Sequence, residues 1–178
     1  MTSLSFFTLL VGLVALERVA ELVVSMRNAR WSLRRGGRET GQRHYAVMVV
    51  LHTGLLVAML LEAWLRRPEV PLALASTMLA LVVAAQALRW WCIATLGRQW
   101  NTRVIVVPGM PLVRSGPYRF LSHPNYVAVV VEGVALPLVH AAWLTAVVFT
   151  LANAALLTVR IRVEDAALRE LPVEPAHA

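Results

Sequence analysis

Long apolar runs of membrane-spanning length, separated by arginine-rich polar stretches, limit what this chain can fold into. About 20 consecutive apolar residues cross the hydrocarbon core of a bilayer as a helix. Leu4–Met26, Tyr45–Leu65 and Leu72–Leu96 reach that length, although the first carries Glu17, Arg18 and Glu21. The run from Tyr126 to Val159 is too long for one ordinary span and holds Gly133, Pro137 and His140 near its middle. It reads as two helices hinged around Pro137–Ala142. The expectation is an all-α integral membrane protein with about five transmembrane helices, the last two forming a helical hairpin. One domain covers 1–178, with three spans in 4–96, a polar segment at 97–125, the hairpin at 126–159 and a tail at 160–178. The start lacks a basic region and a small-residue cleavage site, so the first segment is expected to stay as an anchor. The proline-containing end of the tail reads as loose.

Composition agrees. Hydrophobic residues make up 58% of the chain and its mean hydropathy is +0.65, against roughly 45–50% apolar residues in soluble domains. All 17 basic residues are arginines, against 10 acidic ones. They lie between apolar runs and build no basic face interleaved with aromatics, which argues against a nucleic-acid partner. The lone Cys92 sits inside an apolar run, so neither a disulfide framework nor a metal-type Cys/His cluster is expected. In the five-span arrangement, Arg27 to Arg43, Arg98 to Arg119 and Arg160 to Arg169 share one side. Arg66 and Arg67 are alone on the other. The arginine-rich side is cytoplasmic by the positive-inside rule, which puts the N-terminus outside and the C-terminus in the cytoplasm.

The most polar and turn-rich stretch between the apolar runs is Leu112 to Tyr126. Gly116-Pro117 reads as a turn. Pro124 disfavours helical geometry at His123 and suits the first position of a helix. His123, Asn125 and Tyr126 should therefore gather at the N-terminal end of an apolar helix, where free N–H groups can meet an anion. Upstream, Val104 to Val107 is a short β-prone run. A second polar cluster, Arg160 with Glu164 and Asp165, leaves the last span, and Arg160 and Glu164 share a helical face at i, i+4. The hairpin brings Glu164 within reach of His123. Together these groups suit a polar ligand carrying both charge signs. Plainer readings exist: His123 as a helix cap, Arg160 and Arg162 as topology anchors, and Tyr118, Tyr126, Trp90, Trp91 and Trp100 as interfacial aromatics. Arg18 and Glu21 read as a structural ion pair, and Glu132 as a residue that could line an acceptor tunnel.

Gly116-Pro117-Tyr118, then His123-Pro124-Asn125-Tyr126, then Arg160-Ile161 followed by Glu164-Asp165, resemble the isoprenylcysteine carboxyl methyltransferase family. These are membrane enzymes that use S-adenosylmethionine. The likeness covers roughly Arg89 to Leu168, and a bacterial branch is echoed at Arg27-Asn28 and at Gly41 to Tyr45. It implies cofactor contacts from Leu112, Val113, Tyr118, His123, Pro124, Asn125, Tyr126 and Glu164, with Arg160 facing the acceptor. Arg160, His123 and Glu164 form the implied catalytic set, with no metal. Two departures stand out. Ser122 occupies the place of a basic residue before the motif histidine, and Asp165 replaces a second glutamate. The resemblance further implies a multi-pass protein of the bacterial inner membrane and a lipophilic acceptor that enters from the bilayer among membrane lipids. That acceptor would be a long-chain alkyl pyrone or resorcinol, or an isoprenoid carboxylate. A carboxylate acceptor needs no base, whereas a phenol or enol would gain from His123 or Glu164 as one. The rivals are an NADPH-dependent sterol-type reductase and a non-catalytic membrane scaffold. The reductases place an acid soon after the His-Pro-Asn-Tyr motif, whereas here Val127 to Val131 precede Glu132.

Overall fold

A computed structural model of the chain describes residues 3–169. Five α-helices carry the fold: α1 (Ser3–Arg34), α2 (Gln42–Arg66), α3 (Leu72–Leu96), α4 (Pro124–Leu138) and α5 (Trp143–Arg169). Two short strands, β1 (Arg38–Thr40) and β2 (Val104–Val106), pair antiparallel with Glu39 opposite Ile105. The β-prone run before the motif thus finds its partner in the α1–α2 connection.

By length and composition, His44–Arg66, Leu72–Gln99 and Trp143–Arg169 can each cross a membrane. The fold is therefore that of an integral membrane protein. The 15-residue α4 is apolar but short of a full span, and α1 is interrupted by charge. The core joins Phe7, Val11 and Val14 of α1 to Leu55, Met59 and Ala63 of α2, Leu136 of α4 and Phe149 of α5.

Several expectations are corrected. Helix α1 does not stop near Met26 but runs on to Arg34. Its inward face turns polar there, and Ser25, Asn28 and Ser32 are all buried. Asn28 donates to the carbonyls of Gly97 and Trp100, at 3.0 and 2.7 Å, so continuing the helix satisfies groups that a loop would leave to water. Gly36, at φ 77°, ends it. Trp100 is buried at 3% exposure rather than interfacial, because the backbone beside it is drawn onto α1. Trp90 and Trp91 do lie exposed. Arg160 to Asp165 continue the last helix, whose face they share, and α5 runs to Arg169. The stub at 170–178 lies outside the described residues.

The hairpin turns where Pro137 and His140 implied. α4 ends at Leu138, Ala141 adopts φ 53°, and α5 begins at Trp143. A Cβ on Gly133 would sit 2.2 Å from Phe149, so the absence of a side chain there lets α4 and α5 close up. The Glu62 carboxylate on α2 accepts from the N–H groups of Leu144 and Thr145 at 3.1 and 2.8 Å, and from the Thr145 hydroxyl at 2.7 Å. A carboxylate at the positive end of α5 is favourable and fixes that helix against α2. The Arg18–Glu21 pair forms at 2.9 Å within a wider network. Arg89 meets Glu132 at 2.5 Å and Glu21 at 3.6 Å, while Arg18 reaches Gln86 at 2.9 Å. The network ties α1, α3 and α4 together.

Candidate active site

At the end of the bundle where β1 meets β2, the end of α5 lies beside the start of α4. Pro124 is the first residue of α4, as its fixed φ and missing N–H favour. His123 precedes it in a non-helical conformation, φ −129° and ψ 61°. Upstream, Gly116 to Arg119 form a single 3-10 turn that opens with Gly116 at φ 54°. A Cβ there would lie 2.5 Å from the Thr95 hydroxyl, so a glycine is needed for both its conformation and its closeness to α3. This approach carries Tyr118 onto the bundle, where its phenol neighbours the Cys92 thiol. Burial, and then the neighbouring Cys92, push the Tyr118 phenol far above its usual range, so it stays protonated.

A cavity of about 680 Å³ opens between these elements. Val104 to Val107, Met110, Leu112 and Val113 give it an apolar wall. Tyr118, His123, Asn125, Tyr126, Arg160 and Glu164 give it a polar one. Of the residues assigned to the cofactor and catalytic sets, all line this cavity except Pro124, which is buried at the root of α4. Ser122 also lines it, and although it is not basic, Arg114 and Arg119 contribute to the same lining.

The polar wall is tightly linked. The Tyr126 hydroxyl donates to Glu164 and accepts from Arg160 Nε at 2.9 Å. The His123 ring stacks on the Tyr126 ring with centroids 5.3 Å apart. Its Nε2 lies 3.2 Å from Asp165 and its Nδ1 3.8 Å from Glu164. Glu164 is thus near His123, as the hairpin implied. Arg160 is 7% exposed. Its Nη2 donates to the Thr102 carbonyl, and its Nη1 meets only the Met48 thioether, at 3.4 Å. Among the described residues it pairs with no carboxylate.

Sequence reasoning passed over Thr102, Met48 and Asn101, and named Asp165 without giving it a role. Asp165 was visible beside Glu164 and needed only the hairpin geometry to be given a place. Thr102 and Met48 reach Arg160 from segments that no motif marks. Asn101 lines the cavity with both side-chain amide atoms buried and unpartnered, and Asn125 Oδ1 is likewise unpartnered. Chemically, the wall offers acids for a cation, a buried guanidinium for an anion, and free amide groups for a ring with donors and acceptors.

The isoprenylcysteine carboxyl methyltransferase family profile matches residues 78–170, from α3 to the end of α5. The chain is 36% identical to the Bacillus subtilis protein YpbQ, described as uncharacterized, over 168 residues covering 94% of this chain and 99% of that one. It is 27% identical to an uncharacterized Haemophilus influenzae protein over 158 residues, covering 86% of this chain and 90% of that one. No solved structure matches. The matched region takes in just over half of the chain, including both halves of the cavity's polar wall. The chain belongs to the isoprenylcysteine carboxyl methyltransferase family.

Proposed function

We propose that the protein is an S-adenosylmethionine-dependent O-methyltransferase acting on a lipophilic acceptor that enters from the bilayer. Long-chain alkyl pyrones or resorcinols are the first choice of acceptor, and isoprenoid carboxylates the second. The observation that carries this reading is Arg160: a buried guanidinium with no carboxylate partner among the described residues, one of its nitrogens facing a thioether. Buried charges without a partner are expensive. An anionic or strongly polarised acceptor oxygen would relieve that cost.

The residues present fit the cofactor. Glu164 and Asp165 suit its ammonium and sulfonium charges, and the start of α4 with Asn125 suits its carboxylate. The buried Asn101 amide and Asn125 Oδ1, unpartnered among the described residues, offer a donor and acceptors to a nucleoside. Leu112, Val113 and the β2 strand provide an apolar surface for an adenine ring. S-adenosylmethionine supplies an electrophilic methyl group when bound. The chain's own task is alignment. Arg160 holds the acceptor oxygen, Tyr126 ties Arg160 to Glu164, and His123 with its two carboxylate neighbours closes the polar wall. For a phenolic or enolic acceptor the departing proton has Glu164 and His123 within reach of the cavity.

In this reading α1 to α5 are five membrane-inserted helices, with the N-terminus outside and the C-terminus in the cytoplasm of a bacterial inner membrane. The Arg27–Arg43, Arg98–Arg119 and Arg160–Arg169 groups then share the cytoplasmic side, consistent with the positive-inside rule, and Arg103, Arg114, Arg119 and Arg160 line the cavity. The test is incubation of the detergent-solubilised protein with radiolabelled S-adenosylmethionine and a host lipid extract. A labelled lipid is expected, along with a rise in melting temperature with S-adenosylmethionine but not with NADPH. Stabilisation by NADPH alone would replace this reading with the reductase one, and no label with either cofactor would sink it.

A further inference from the structure

Helix α1 lies outside the residues that the family profile matches, yet it braces the segment on which Arg160 leans. Ser25 Oγ accepts from the Thr102 N–H at 3.0 Å and shares a hydrogen bond of 2.7 Å with the Thr102 hydroxyl. One turn further along, Asn28 donates to the carbonyls of Gly97 and Trp100. Both side chains are buried, Ser25 at 2% exposure. The segment they hold has only a single 3-10 turn, Gly97–Gln99, before the chain enters β2. With little regular structure of its own, its backbone position is set by what it is bonded to. Its Thr102 carbonyl accepts from Arg160 Nη2.

We infer that Ser25 and Asn28 are positioning residues for the acceptor site, fixing the Thr102 carbonyl and, through it, the direction of the Arg160 guanidinium. A guanidinium is planar, so holding two of its nitrogens determines where the third points. Tyr126 holds Nε from α4, and Thr102 holds Nη2 from the segment braced by α1. Nη1 is left aimed at Met48 on α2. The site is incomplete without the first helix, and that gives the charged and polar stretch of α1 a use beyond anchoring. The inference rests on the methyltransferase reading only in taking Nη1 as the group that meets the acceptor.

The experiment uses the full chain in nanodiscs with isotope-labelled arginine, and identifies the Arg160 Nη2–H resonance, from the nitrogen that Thr102 holds, by its loss in Arg160→Lys. Hydrogen exchange at that group is expected to quicken about tenfold in Ser25→Ala and in Asn28→Ala, as loss of one or two neutral hydrogen bonds would give. The hydroxyl-retaining Ser25→Thr restores slow exchange. In parallel, the KM for a pentadecyl-resorcinol dispersed in the nanodiscs rises several-fold in both alanine variants, well beyond the smaller change in the Kd for S-adenosylmethionine by calorimetry that displacement of Asn101 brings. Wild-type exchange in both alanine variants overturns the inference. So does an equal loss of cofactor affinity, which marks general loosening rather than positioning. If the wild-type protein methylates nothing, the methyltransferase reading falls, and the exchange rates still decide whether α1 braces Arg160.

Discussion

Met48→Gln isolates the one nitrogen of Arg160 that the protein leaves almost free. In the native chain Nη1 faces a thioether sulfur at 3.4 Å, and a thioether is a weak acceptor. Glutamine has nearly the same length and branching reach as methionine, but its amide oxygen is a strong acceptor that can come to about 2.9 Å from a guanidinium N–H. A hydrogen bond to a charged group contributes about 1.5–3 kcal/mol. An acceptor molecule binding at Nη1 would first have to displace that bond, which corresponds to a KM higher by a factor of roughly 10 to 150. At saturation the displaced state is the same as in the wild type, so kcat should change little. Met48 does not line the cavity, so the affinity for S-adenosylmethionine should hold. Met48→Leu is the matched control: it removes the sulfur at similar volume, for less than about 1.5 kcal/mol of stability, and leaves KM at or below the wild-type value. Initial rates with a pentadecyl-resorcinol in mixed micelles provide the assay. An unaltered KM in folded Met48→Gln would refute the claim that Nη1 receives the acceptor.

Four other substitutions test the scaffold and the polar wall. Glu164→Gln keeps the shape but removes the acid beside His123 and Tyr126, and should weaken cofactor binding at least about tenfold by calorimetry, a charge-assisted contact being worth more than that factor. Glu62→Ala strips the start of α5 of three hydrogen bonds, so the melting temperature in detergent should fall by an amount equivalent to roughly 2–3 kcal/mol. Gly133→Ala drives a methyl group into Phe149 and should destabilise the hairpin by about 1–3 kcal/mol through overpacking, read in the same melting assay. Gly116→Ala combines a left-handed φ with a clash against Thr95. It should disturb Tyr118 and lower cofactor affinity along with stability, by about 1–3 kcal/mol in melting.

The site was largely legible because its signals are local. Pro124 sets the start of α4 through its own ring, Gly116 marks a conformation and a close approach, and the Arg160–Glu164 spacing puts both groups on one helical face whatever surrounds them. Hairpin topology, read from a run too long for one span with a proline and a glycine inside it, supplied the missing long-range contact between His123 and Glu164. What could not be read was anything set by a partner distant in sequence. Ser25 looks like an ordinary polar residue at the end of a span, Asn28 carries only the family echo it shares with Arg27, and only the fold reveals that they face Thr102 and Gly97. Trp100 has an interfacial composition around it, yet the hydrogen bond from Asn28 to its carbonyl draws it inside. Met48 carries no signal at all, since a methionine among valines is a filler until Arg160 is placed against it.

The inward face of α1 changes character along its length, and this separates two tasks. Phe7, Val11 and Val14 are buried against α2 and the hairpin. From Arg18 onward the inward positions are Arg18, Glu21, Ser25, Asn28 and Ser32, at alternating spacings of three and four that keep one stripe facing the bundle. Buried polar groups at membrane depth persist when they are satisfied by partners on other helices. The first two residues find Gln86, Arg89 and Glu132; the next two find the 97–102 segment; Ser32 reaches the cavity. An anchor would need none of this, because leucine at each position would insert more readily. The stripe therefore fixes α1 in rotation and depth against α3 and α4, so that Ser25 and Asn28 meet Thr102 and Gly97 at hydrogen-bonding distance. Replacing Arg18 and Glu21 together by leucine should leave the helix inserted but free to turn. The same loss of Arg160 order seen in Ser25→Ala should then appear without any change near the cavity. Retained slow exchange at Arg160 in that double variant would show that α1 is held by its apolar half alone.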